Sequence, residues 1–518
     1  MTSVLPPPPL LLLLLLLLLA VVARDGAGVN VVLLNVDDLG YGDLGCYGHP
    51  TIKTPHIDAL AASGSRWTQF YSAADVCSPS RAALLTGRYA VRSGLAGLLW
   101  TGGVLTASAS GGLPANETTL AALLQRHAGY RTFAVGKWHL GQLPAFMPRA
   151  HGFDGYYGIP FSNDMSPSAW APERVTYGLC TALPLVSNET VVEQPANLAT
   201  IAARYTDEAI RFMGEAHAAA APFFLYLAYN NVHTPNFCDA ETCGESSRGA
   251  YGDSVVDVDK SVGRIVAFLR DNGDLLQDTI VYLTSDNGPW LPRGVDGGSA
   301  GLLREGKATT WEGGFRVPMI ISWPGTVPAG RTISGVGTLL DVFTTTLAIA
   351  GVPLPTDRAI DGKDLRELLL NGDGDNGNVK AVSPWHNEAF FYYHGTPSPS
   401  DPVNQPGLWS ARLGDYKLHW VTIDAGAVLP DFHDPPLLFN LEVDPSEKYA
   451  LDTALPEYAA IVQAITEARI RHEASVIPVA NQARDSDPDN CLCCDPDSQD
   501  KYPDMPKCTC NPEYWTLP

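Results

Sequence analysis

The chain is poor in basic residues. Its 518 residues include 34 Lys and Arg against 56 Asp and Glu, which gives a formal net charge of −22 at pH 7. A protein that binds nucleic acid needs a basic surface to neutralise phosphates, so this composition argues against that class. An acidic protein that binds an anion has to gather its few cations locally. The basic residues that stand beside reactive groups are therefore the informative ones.

Long apolar segments are absent after the N-terminus, and so are internal repeats. The apolar run Leu10 to Val22 ends in small residues. It is shorter than the roughly 20 residues that span a membrane, and it predicts a secretory signal over residues 1–23. We expect a soluble mature protein, because no later segment is apolar enough to cross a bilayer. Sequons at Asn116 and Asn188 are compatible with glycosylation in the secretory pathway.

Apolar runs typical of buried strands alternate with helical segments over most of the chain. Strands are predicted at Val29–Val36, Arg131–Val135, Pro222–Tyr229, Thr279–Thr284 and Pro318–Trp323. Helices are predicted at Thr118–His127, Ala199–Ala218, Asp253–Asp271 and Leu339–Ala350. This alternation predicts an α/β fold in which a mostly parallel sheet is flanked by helices on both faces.

The C-terminal part changes character. Short strands are predicted at Glu388–Tyr393, Gly407–Leu413, Tyr416–Val421 and Pro436–Asn440, followed by a helix at Glu457–Glu473. Strands that follow one another without helices between them indicate an antiparallel sheet. We therefore expect a signal peptide at 1–23, a catalytic domain at 24–375, a smaller sheet-and-helix subdomain at 376–480 and a Cys-rich tail at 481–518.

A reactive side chain is predicted at the start of a short helix. Ser78 is a good N-cap and Pro79 suits the first helical position, while Ala82 to Leu85 favour helix and Gly87 favours a left-handed cap. Cys77 would then lie just ahead of the helix, where free N–H groups and the macrodipole favour an anion. The alternative is a buried cysteine in front of a core helix.

The whole segment from Cys77 to Arg88, CSPSRAALLTGR, matches the C-x-P-S-R-x-x-x-L-T-G-R signature at every fixed position, and the chain resembles the sulfatase family. The resemblance implies an alkaline-phosphatase-like fold and conversion of Cys77 to formylglycine (3-oxoalanine) by a formylglycine-generating enzyme. One hydroxyl of the hydrated aldehyde would attack the sulfur of a sulfate ester, and the other would expel sulfate from the covalent intermediate. Arg81 would neutralise charge beside this residue.

Polar side chains directly follow four of the predicted strands. In chain order they are Asp37, Asp38, Lys137, His139, His233, Asp286 and Asn287. Since the carboxyl ends of strands form the ligand crevice of an open α/β sheet, these residues should converge. The Asp37-Asp38 and Asp286-Asn287 pairs are ordinary turn sequences when taken alone, but together they offer oxygen donors to a hard cation. The resemblance implies that they and the modified Cys77 hold calcium, in preference to magnesium.

Further matches to the family imply roles for single residues. The string GKWHLG around Lys137 and His139 is the second signature of the family, although a lone Lys or His is most often structural or solvated. By resemblance, Lys137 and Lys307 bind sulfate, and His139 positions a diol hydroxyl and takes its proton. His233 corresponds to the histidine that protonates the leaving alcohol, a general-acid role. Ser162 corresponds to a serine that contacts sulfate.

The substrate stays open within the family. Residues 37–50 and 158–162 look most like arylsulfatase A, while 357–362 also resembles N-acetylgalactosamine-6-sulfatase. The segments that would shape the leaving-group pocket, 95–112 and 167–195, match neither. An aryl sulfate, a sulfated lipid and a sulfated sugar therefore all remain candidate substrates. The resemblance implies a lysosomal or secreted enzyme, with no preference between a monomer and a homo-oligomer.

Ten cysteines suit the same compartment. If Cys77 is modified and Cys46 is free, eight remain for disulfides: Cys180, Cys238, Cys243, Cys491, Cys493, Cys494, Cys508 and Cys510. The closely spaced C-terminal thiols could instead bind zinc, but disulfides are the better interpretation in a secreted chain. Cys238 and Cys243 are close enough in sequence to pair within one loop.

Two other functions fit parts of the pattern. A phosphoesterase or phosphonate hydrolase of the same fold would use Thr or Ser with two zinc ions, whereas this chain offers Cys and one oxygen-rich site. A non-catalytic protein that binds a sulfated ligand would keep the pocket and would be expected to lose one signature residue. None is lost, which favours the sulfatase interpretation.

Overall fold

The structure of the chain, a computed structural model, describes residues 28–97, 102–165, 183–371, 381–395, 407–427, 429–492 and 507–508. The predicted signal at 1–23 lies outside the described residues, and so do Cys180, Cys493, Cys494 and Cys510. In the described part of the chain, no helix combines the length and the apolar character that crossing a membrane requires.

An eleven-stranded mixed sheet forms the centre of the molecule, beside a two-stranded and a four-stranded sheet. The strands are β1 (Asn30–Val36), β2 (Ser65–Trp67), β3 (Phe70–Tyr71), β4 (Arg131–Gly136), β5 (Gly155–Gly158), β6 (Leu185–Ser187), β7 (Thr190–Glu193), β8 (Phe223–Ala228), β9 (Thr279–Ser285), β10 (Met319–Ser322), β11 (Arg331–Ile333), β12 (Gly337–Thr338), β13 (Phe390–His394), β14 (Gly407–Leu413), β15 (Tyr416–Thr422), β16 (Asp431–Asn440) and β17 (Lys507–Cys508). The large sheet has the order β11-β2-β10-β9-β1-β8-β4-β5-β6-β7-β17.

Parallel pairing joins the strands at the centre of this sheet. β1 lies between β8 and β9, and its register pairs Asn35 with Ala228 on one side and with Thr284 on the other. β4 and β5 continue the parallel series beyond β8, whereas β10 runs antiparallel to β9. The predicted α/β fold is confirmed. The register places the C-terminal ends of β1, β8 and β9 at one edge, where the loops that follow them meet.

The helices cover both faces of the large sheet and, near the C-terminus, pack on the four-stranded sheet. They are α1 (Pro55–Ala62), α2 (Cys77–Thr86), α3 (Leu120–Ala128), α4 (Ile201–Ala218), α5 (Ala250–Asp271), α6 (Glu312–Phe315), α7 (Leu339–Ile349), α8 (Arg366–Asn371) and α9 (Pro456–Ser475). In β1, Val31 and Leu33 pack with α2, α3 and α7, while Val32 and Leu34 pack with α1, α4 and α5. Because both faces are covered, β1 is apolar at successive positions rather than at alternate ones.

The C-terminal sheet is antiparallel in the order β13-β14-β15-β16, and α9 packs on β14 and β15. The four predicted strands and the closing helix are therefore present. The prediction for the last strand was too short, because β16 begins at Asp431 rather than at Pro436. Its first half reads Asp-Phe-His-Asp-Pro, which lacks the alternation and the β-branched residues that indicate a strand.

The cysteines behave largely as expected. Cys238 and Cys243 form a disulfide, and Cys491 is also disulfide-bonded. Cys46 and Cys77 are free thiols. Burial raises the pKa of Cys46 to about 12, so this thiol is not a reactive thiolate.

Candidate active site

The polar residues that follow β1, β4, β8 and β9 meet at one edge of the large sheet. Lys137 Nζ lies 2.6 Å from Asp37 Oδ2, and the Asp38 N–H donates to Asp286 Oδ1 over 3.2 Å. His233 Nε2 lies 3.6 Å from Asp38 Oδ2. Four separate stretches of sequence are thus brought together, as expected for the carboxyl ends of parallel strands.

Cys77 is the first residue of α2, and Val76 is its N-cap. The prediction that Ser78 caps this helix was wrong, because the Ser78 Oγ instead accepts a hydrogen bond from the Leu105 N–H over 3.1 Å. The helix ends as predicted at Gly87, whose φ of 68° is left-handed. Cys77 still lies in the first turn, where the backbone N–H groups have no partner within the helix.

Two ammonium groups and a carboxylate surround the Cys77 sulfur, which is 1% exposed. Lys137 Nζ is 3.4 Å and Lys307 Nζ is 3.5 Å from Sγ, and Asp37 Oδ1 is also 3.5 Å away. Burial raises the pKa of the thiol above its ordinary value, and the two lysines offset this only in part. An oxygen placed where Sγ lies would be within reach of both cations.

Arg81 contacts both Asp37, which follows β1, and Asp286, which follows β9. Its Nε donates to Asp286 Oδ2 over 2.8 Å, and its Nη2 lies 3.4 Å from Asp37 Oδ1. A third contact, from Nη1 to the Lys137 carbonyl over 2.9 Å, fixes the loop after β4. Burial lowers the pKa of Arg81, but the neighbouring carboxylates outweigh it and raise the pKa overall. The guanidinium is therefore a permanent charge at the base of the site.

Pairing with buried carboxylates also keeps the two lysines of the site charged. Burial raises the pKa of Asp37, but the surrounding cations, with Lys137 foremost, outweigh it and hold that pKa below its ordinary value. Burial lowers the pKa of Lys307, yet the Asp38 carboxylate, 2.7 Å from its Nζ, raises it overall. Both lysines therefore remain ammonium groups at neutral pH.

Four buried side chains offer oxygen donors to a metal ion. They are Asp37, Asp38, Asp286 and Asn287, each at most 3% exposed. The Asn287 Nδ2 donates to Asp38 Oδ1 over 2.7 Å, whereas its Oδ1 is buried and has no partner among the described residues. Ligand atoms of Asp37, Asp286 and Cys77 lie within 4.8 Å of one another. A buried amide oxygen without a partner beside three carboxylates fits a hard divalent cation.

His139 presents a free nitrogen to the site. Its Nε2 lies 2.9 Å from the Leu105 carbonyl, which can only accept, so Nε2 donates and Nδ1 is left unprotonated. Nδ1 is buried and contacts no polar partner within the ranges that the structure describes, and burial lowers the pKa of His139 well below its ordinary value. Both His139 (φ 59°) and Asp38 (φ 60°) have left-handed backbones, a conformation that is uncommon for non-glycine residues and recurs at functional sites.

Ser162 lies between two other site residues. Its Oγ is 3.3 Å from Lys137 Nζ and 3.5 Å from His233 Nε2. The loop after β5 therefore adds a hydroxyl to the cluster. With Ser162, every site residue named from the sequence lies in one contiguous group.

A pocket of about 470 Å³ opens above Cys77. Its base includes Cys77 and Lys307, and its walls include Trp290, His394 and Ile423. These three wall residues were not predicted from the sequence. Trp290 could have been found, because it lies three positions after Asn287 in the loop that follows β9. His394 and Ile423 belong to the C-terminal part of the chain, and nothing local in the sequence links them to the site.

The Trp290 ring connects the pocket wall to the cluster below it. Its centroid is 5.4 Å from that of His233, and Lys307 Nζ lies 4.7 Å from the ring centre. The guanidinium of Arg293 lies 3.8 Å from the same ring. Cations on an aromatic face are attracted by its quadrupole, which helps to fix the ring against the site.

Comparison with known proteins agrees with the motifs. The sulfatase family model matches residues 29–352, and the model for the C-terminal region of aryl-sulfatase matches residues 386–510. The chain is similar to arylsulfatase A of Bos taurus, with 40% identity over 94% of this chain and 96% of that protein. It is similar to N-acetylgalactosamine-6-sulfatase of Canis lupus familiaris, with 37% identity over 87% of this chain and 86% of that protein. Among solved structures, it is similar to the PsFucS1 sulfatase from Pseudoalteromonas sp. (TM-score 0.72, 29% identity, 93% and 96% of the two chains covered).

Proposed function

Since the chain belongs to the sulfatase family and is a sulfuric ester hydrolase, we propose that it cleaves its ester at Cys77, after conversion of that residue to formylglycine. The observation that carries this proposal is the position of the Cys77 sulfur, 3.4 Å from Lys137 Nζ and 3.5 Å from Lys307 Nζ at the buried end of the pocket. Hydrated formylglycine supplies one hydroxyl that attacks sulfur and a second that releases sulfate.

Lys137 and Lys307 would bind the sulfate oxygens. Each ammonium group is already held by a carboxylate, Asp37 for Lys137 and Asp38 for Lys307. The donors therefore need little reorganisation when the ester arrives or when charge builds up during the reaction. Preorganised donors in a buried site stabilise such charge far better than water does. Ser162 would add a neutral donor on the same side.

His139 and His233 would move the protons. The unprotonated Nδ1 of His139 would take a proton from the nucleophilic hydroxyl. His233 Nδ1 lies 2.6 Å from the Thr234 carbonyl and so carries a hydrogen, which leaves Nε2 to protonate the leaving alcohol. The Asp38 carboxylate, 3.6 Å from Nε2, faces the proton that this role requires.

The oxygen donors of Asp37, Asp38, Asp286 and Asn287 would hold calcium, in preference to magnesium, whose stricter octahedral geometry suits such a crowded set less well. Calcium held by these residues would supply Lewis-acid chemistry, which polarises a sulfate oxygen. Arg81 keeps two of the carboxylates in place for it. We expect EDTA to lower both the activity and the Tm, and added calcium to restore both. Activity and Tm that are unchanged after exhaustive chelation would contradict the metal assignment.

The proposal also covers when Cys77 is converted to formylglycine and in which compartment the protein acts. A formylglycine-generating enzyme would act before the chain folds, because Cys77 is 1% exposed in the folded protein. The predicted signal at 1–23 and the exposed sequons at Asn116 and Asn188 support a glycoprotein of the secretory pathway, either lysosomal or secreted. The proposed domain division is a catalytic domain at 24–375, a C-terminal subdomain at 376–480 and a Cys-rich tail at 481–518.

Mass spectrometry of the tryptic peptide Trp67–Arg81 tests the proposal directly. We expect Cys77 to have lost its sulfur and gained an oxygen, and the protein to hydrolyse 4-nitrophenyl sulfate faster than 4-nitrophenyl phosphate. The variant Cys77→Ala, made in the same host, is the control and should be inactive. An intact thiol throughout an active preparation would overturn the formylglycine mechanism. A preference for the phosphate would favour the phosphoesterase alternative, which the family assignment does not support.

A further inference from the structure

A buried acid–base pair lies on the pocket wall beside the proposed sulfate site. His394, the last residue of β13, lines the pocket, and its Nδ1 lies 2.5 Å from Asp75 Oδ2. The two residues are 4% and 1% exposed. Asp75 precedes Cys77 by two positions, and its carbonyl accepts from the Ala308 N–H over 3.0 Å, next to Lys307. The mechanism proposed above uses neither member of the pair.

The hydrogen bond decides which nitrogen of His394 faces the pocket. A carboxylate only accepts, so Nδ1 carries the hydrogen and Nε2 is the nitrogen left for a ligand. The Trp409 ring, 4.6 Å away between centroids, holds the imidazole from the side. Within the described residues, the second oxygen of Asp75 is buried without a partner. The carboxylate therefore orients His394 and is not shared with the cation cluster.

Other residues that line the pocket point to a hydroxylated ligand. Asp164 is 4% exposed, and its buried Oδ1 has no partner in the described part of the chain. Trp290 contributes an aromatic face. An aromatic surface with a few placed acceptors and donors suits a ring that carries both C–H faces and hydroxyl groups. A wholly apolar leaving group would bury these polar groups without partners, which lowers affinity.

We propose that His394, oriented by Asp75, is a specificity-determining residue that binds a hydroxyl of the leaving alcohol through Nε2, and that the substrate is a sulfated sugar. This inference rests on the proposed function, since it concerns the part of the ester that leaves. In a sugar sulfated on a ring carbon, a neighbouring ring carbon carries a hydroxyl group, which can reach the wall while the sulfate lies over Cys77.

Two substitutions at position 394 separate recognition from structure. The amide nitrogen of His394→Asn takes the place of Nδ1, so the donor to Asp75 is kept and Nε2 is removed. The amide nitrogen of His394→Gln takes the place of Nε2 instead. The substrates are 4-nitrophenyl sulfate, whose leaving group has no hydroxyl beside the ester, and a panel of galactose and glucosamine sulfates with released sulfate measured. His472→Phe, which removes a buried histidine that packs on the same strand outside the pocket, is the matched control.

We expect the parent to hydrolyse at least one sugar sulfate. His394→Asn should raise KM for that sugar roughly 3- to 10-fold, which corresponds to the loss of one hydrogen bond. The kcat on the sugar and the rate on 4-nitrophenyl sulfate should change little. His394→Gln restores a polar group at the place of Nε2 but loses the hydrogen bond to Asp75, so it should recover only part of the loss. His472→Phe should show no loss. An equal loss on both substrates, or no loss on either, overturns the inference, as does a parent that cleaves only the aryl sulfate. A parent with converted Cys77 that cleaves neither substrate overturns the proposed function as well.

Discussion

Lys137 is the residue on which most of the site depends. Its Nζ contacts Asp37 Oδ2 at 2.6 Å, Ser162 Oγ at 3.3 Å and Cys77 Sγ at 3.4 Å, and its side chain is fully buried. Lys137→Met should lower kcat/KM on 4-nitrophenyl sulfate roughly 10²- to 10³-fold, because a preorganised donor is lost. It should also cost about 3–5 kcal/mol of unfolding free energy, because Asp37 is left buried without its main partner.

Initial-rate kinetics and urea unfolding measure the two effects. Lys53→Met, at an exposed lysine, is the control and should change neither quantity. An activity within a few-fold of the parent would show that Lys137 holds Asp37 but does not contact the ester.

The convergence of the proposed site residues could largely be predicted from the sequence, but the backbone conformation and the packing around them could not. Strand ends and two contiguous signatures placed Asp38 and His139 correctly in one cluster. The left-handed backbone at both positions could not be foreseen, because it depends on how the loops pack. The role of Ser78 was predicted wrongly for a related reason. Local propensity favours its hydroxyl as a helix cap, but this hydroxyl instead accepts a hydrogen bond from the N–H of Leu105, which is distant in sequence.

At the scale of elements, a buried charge network joins α6 to the C-terminal sheet. Lys417 Nζ on β15 lies 3.0 Å from Glu312 Oε1 on α6 and 3.2 Å from Glu447 Oε1, and all three side chains are fully buried. Burial raises the pKa of Glu312, but the cations around it, led by Lys417, lower it to about 2. The segment that ends at α6 carries Lys307, so this network positions one of the two proposed sulfate-binding lysines.

Lys417→Met should therefore destabilise the protein by about 3–5 kcal/mol, since it leaves two buried carboxylates facing each other. We expect kcat/KM to fall as well, through displacement of Lys307. The double variant Glu312→Gln with Lys417→Met removes one of the two carboxylates that Lys417 contacts and should be less destabilised than Lys417→Met alone. Chemical denaturation gives the comparison. A double variant that is less stable than the single one would mean that the network contributes through packing rather than charge.

The contact of α9 with the C-terminal sheet should depend on pH. The His472 ring stacks on Phe391 with centroids 4.0 Å apart, and burial lowers the pKa of His472 from 6.5 to about 4. The folded protein therefore favours the neutral ring. The stability that His472 contributes is complete above pH 6.5 and is lost as the pH falls from 6.5 towards 4.

His472→Phe keeps the stacking and does not titrate. Its Tm relative to the parent should therefore rise steadily as the pH is lowered through that interval, as measured by thermal denaturation at each pH. Every other titrating group is common to the two proteins and cancels in the difference. A constant offset between them would show that the folded state holds His472 protonated and neutral equally well.

The strands of the large sheet could be predicted closely because they are buried on both faces, which leaves a continuous apolar signal. β1 and β8 illustrate this, since both predicted ranges are within two residues of the structure. Pairing over long sequence separations could not be predicted. β17 at Lys507–Cys508 joins the large sheet beside β7, and no local pattern indicates that partner.

For the whole molecule, the net charge of −22 opposes the approach of any sulfate ester, while the buried lysines attract it at short range. Raising NaCl from 10 to 150 mM shortens the Debye length from about 30 to about 8 Å and screens the distant repulsion more than the buried pairs. We expect kcat/KM on 4-nitrophenyl sulfate to rise a few-fold over this range. Rates at low substrate concentration give the value directly, and a disulfated substrate should respond more steeply. A fall in kcat/KM would mean that attraction by the site already dominates at long range.

Residues from two sheets line the pocket. The residues proposed for the chemistry and those proposed for substrate preference therefore lie in different parts of the chain. The end that holds Cys77, Lys137 and the carboxylates belongs to the large sheet, while the lining residues His394 and Ile423 come from the C-terminal part of the chain. Changes at these two lining positions, unlike changes in the Lys417 network, can alter which alcohol fits without disturbing the residues proposed to break the S–O bond. After a gene duplication, copies of such a chain are therefore free to diverge in substrate preference while keeping one chemistry.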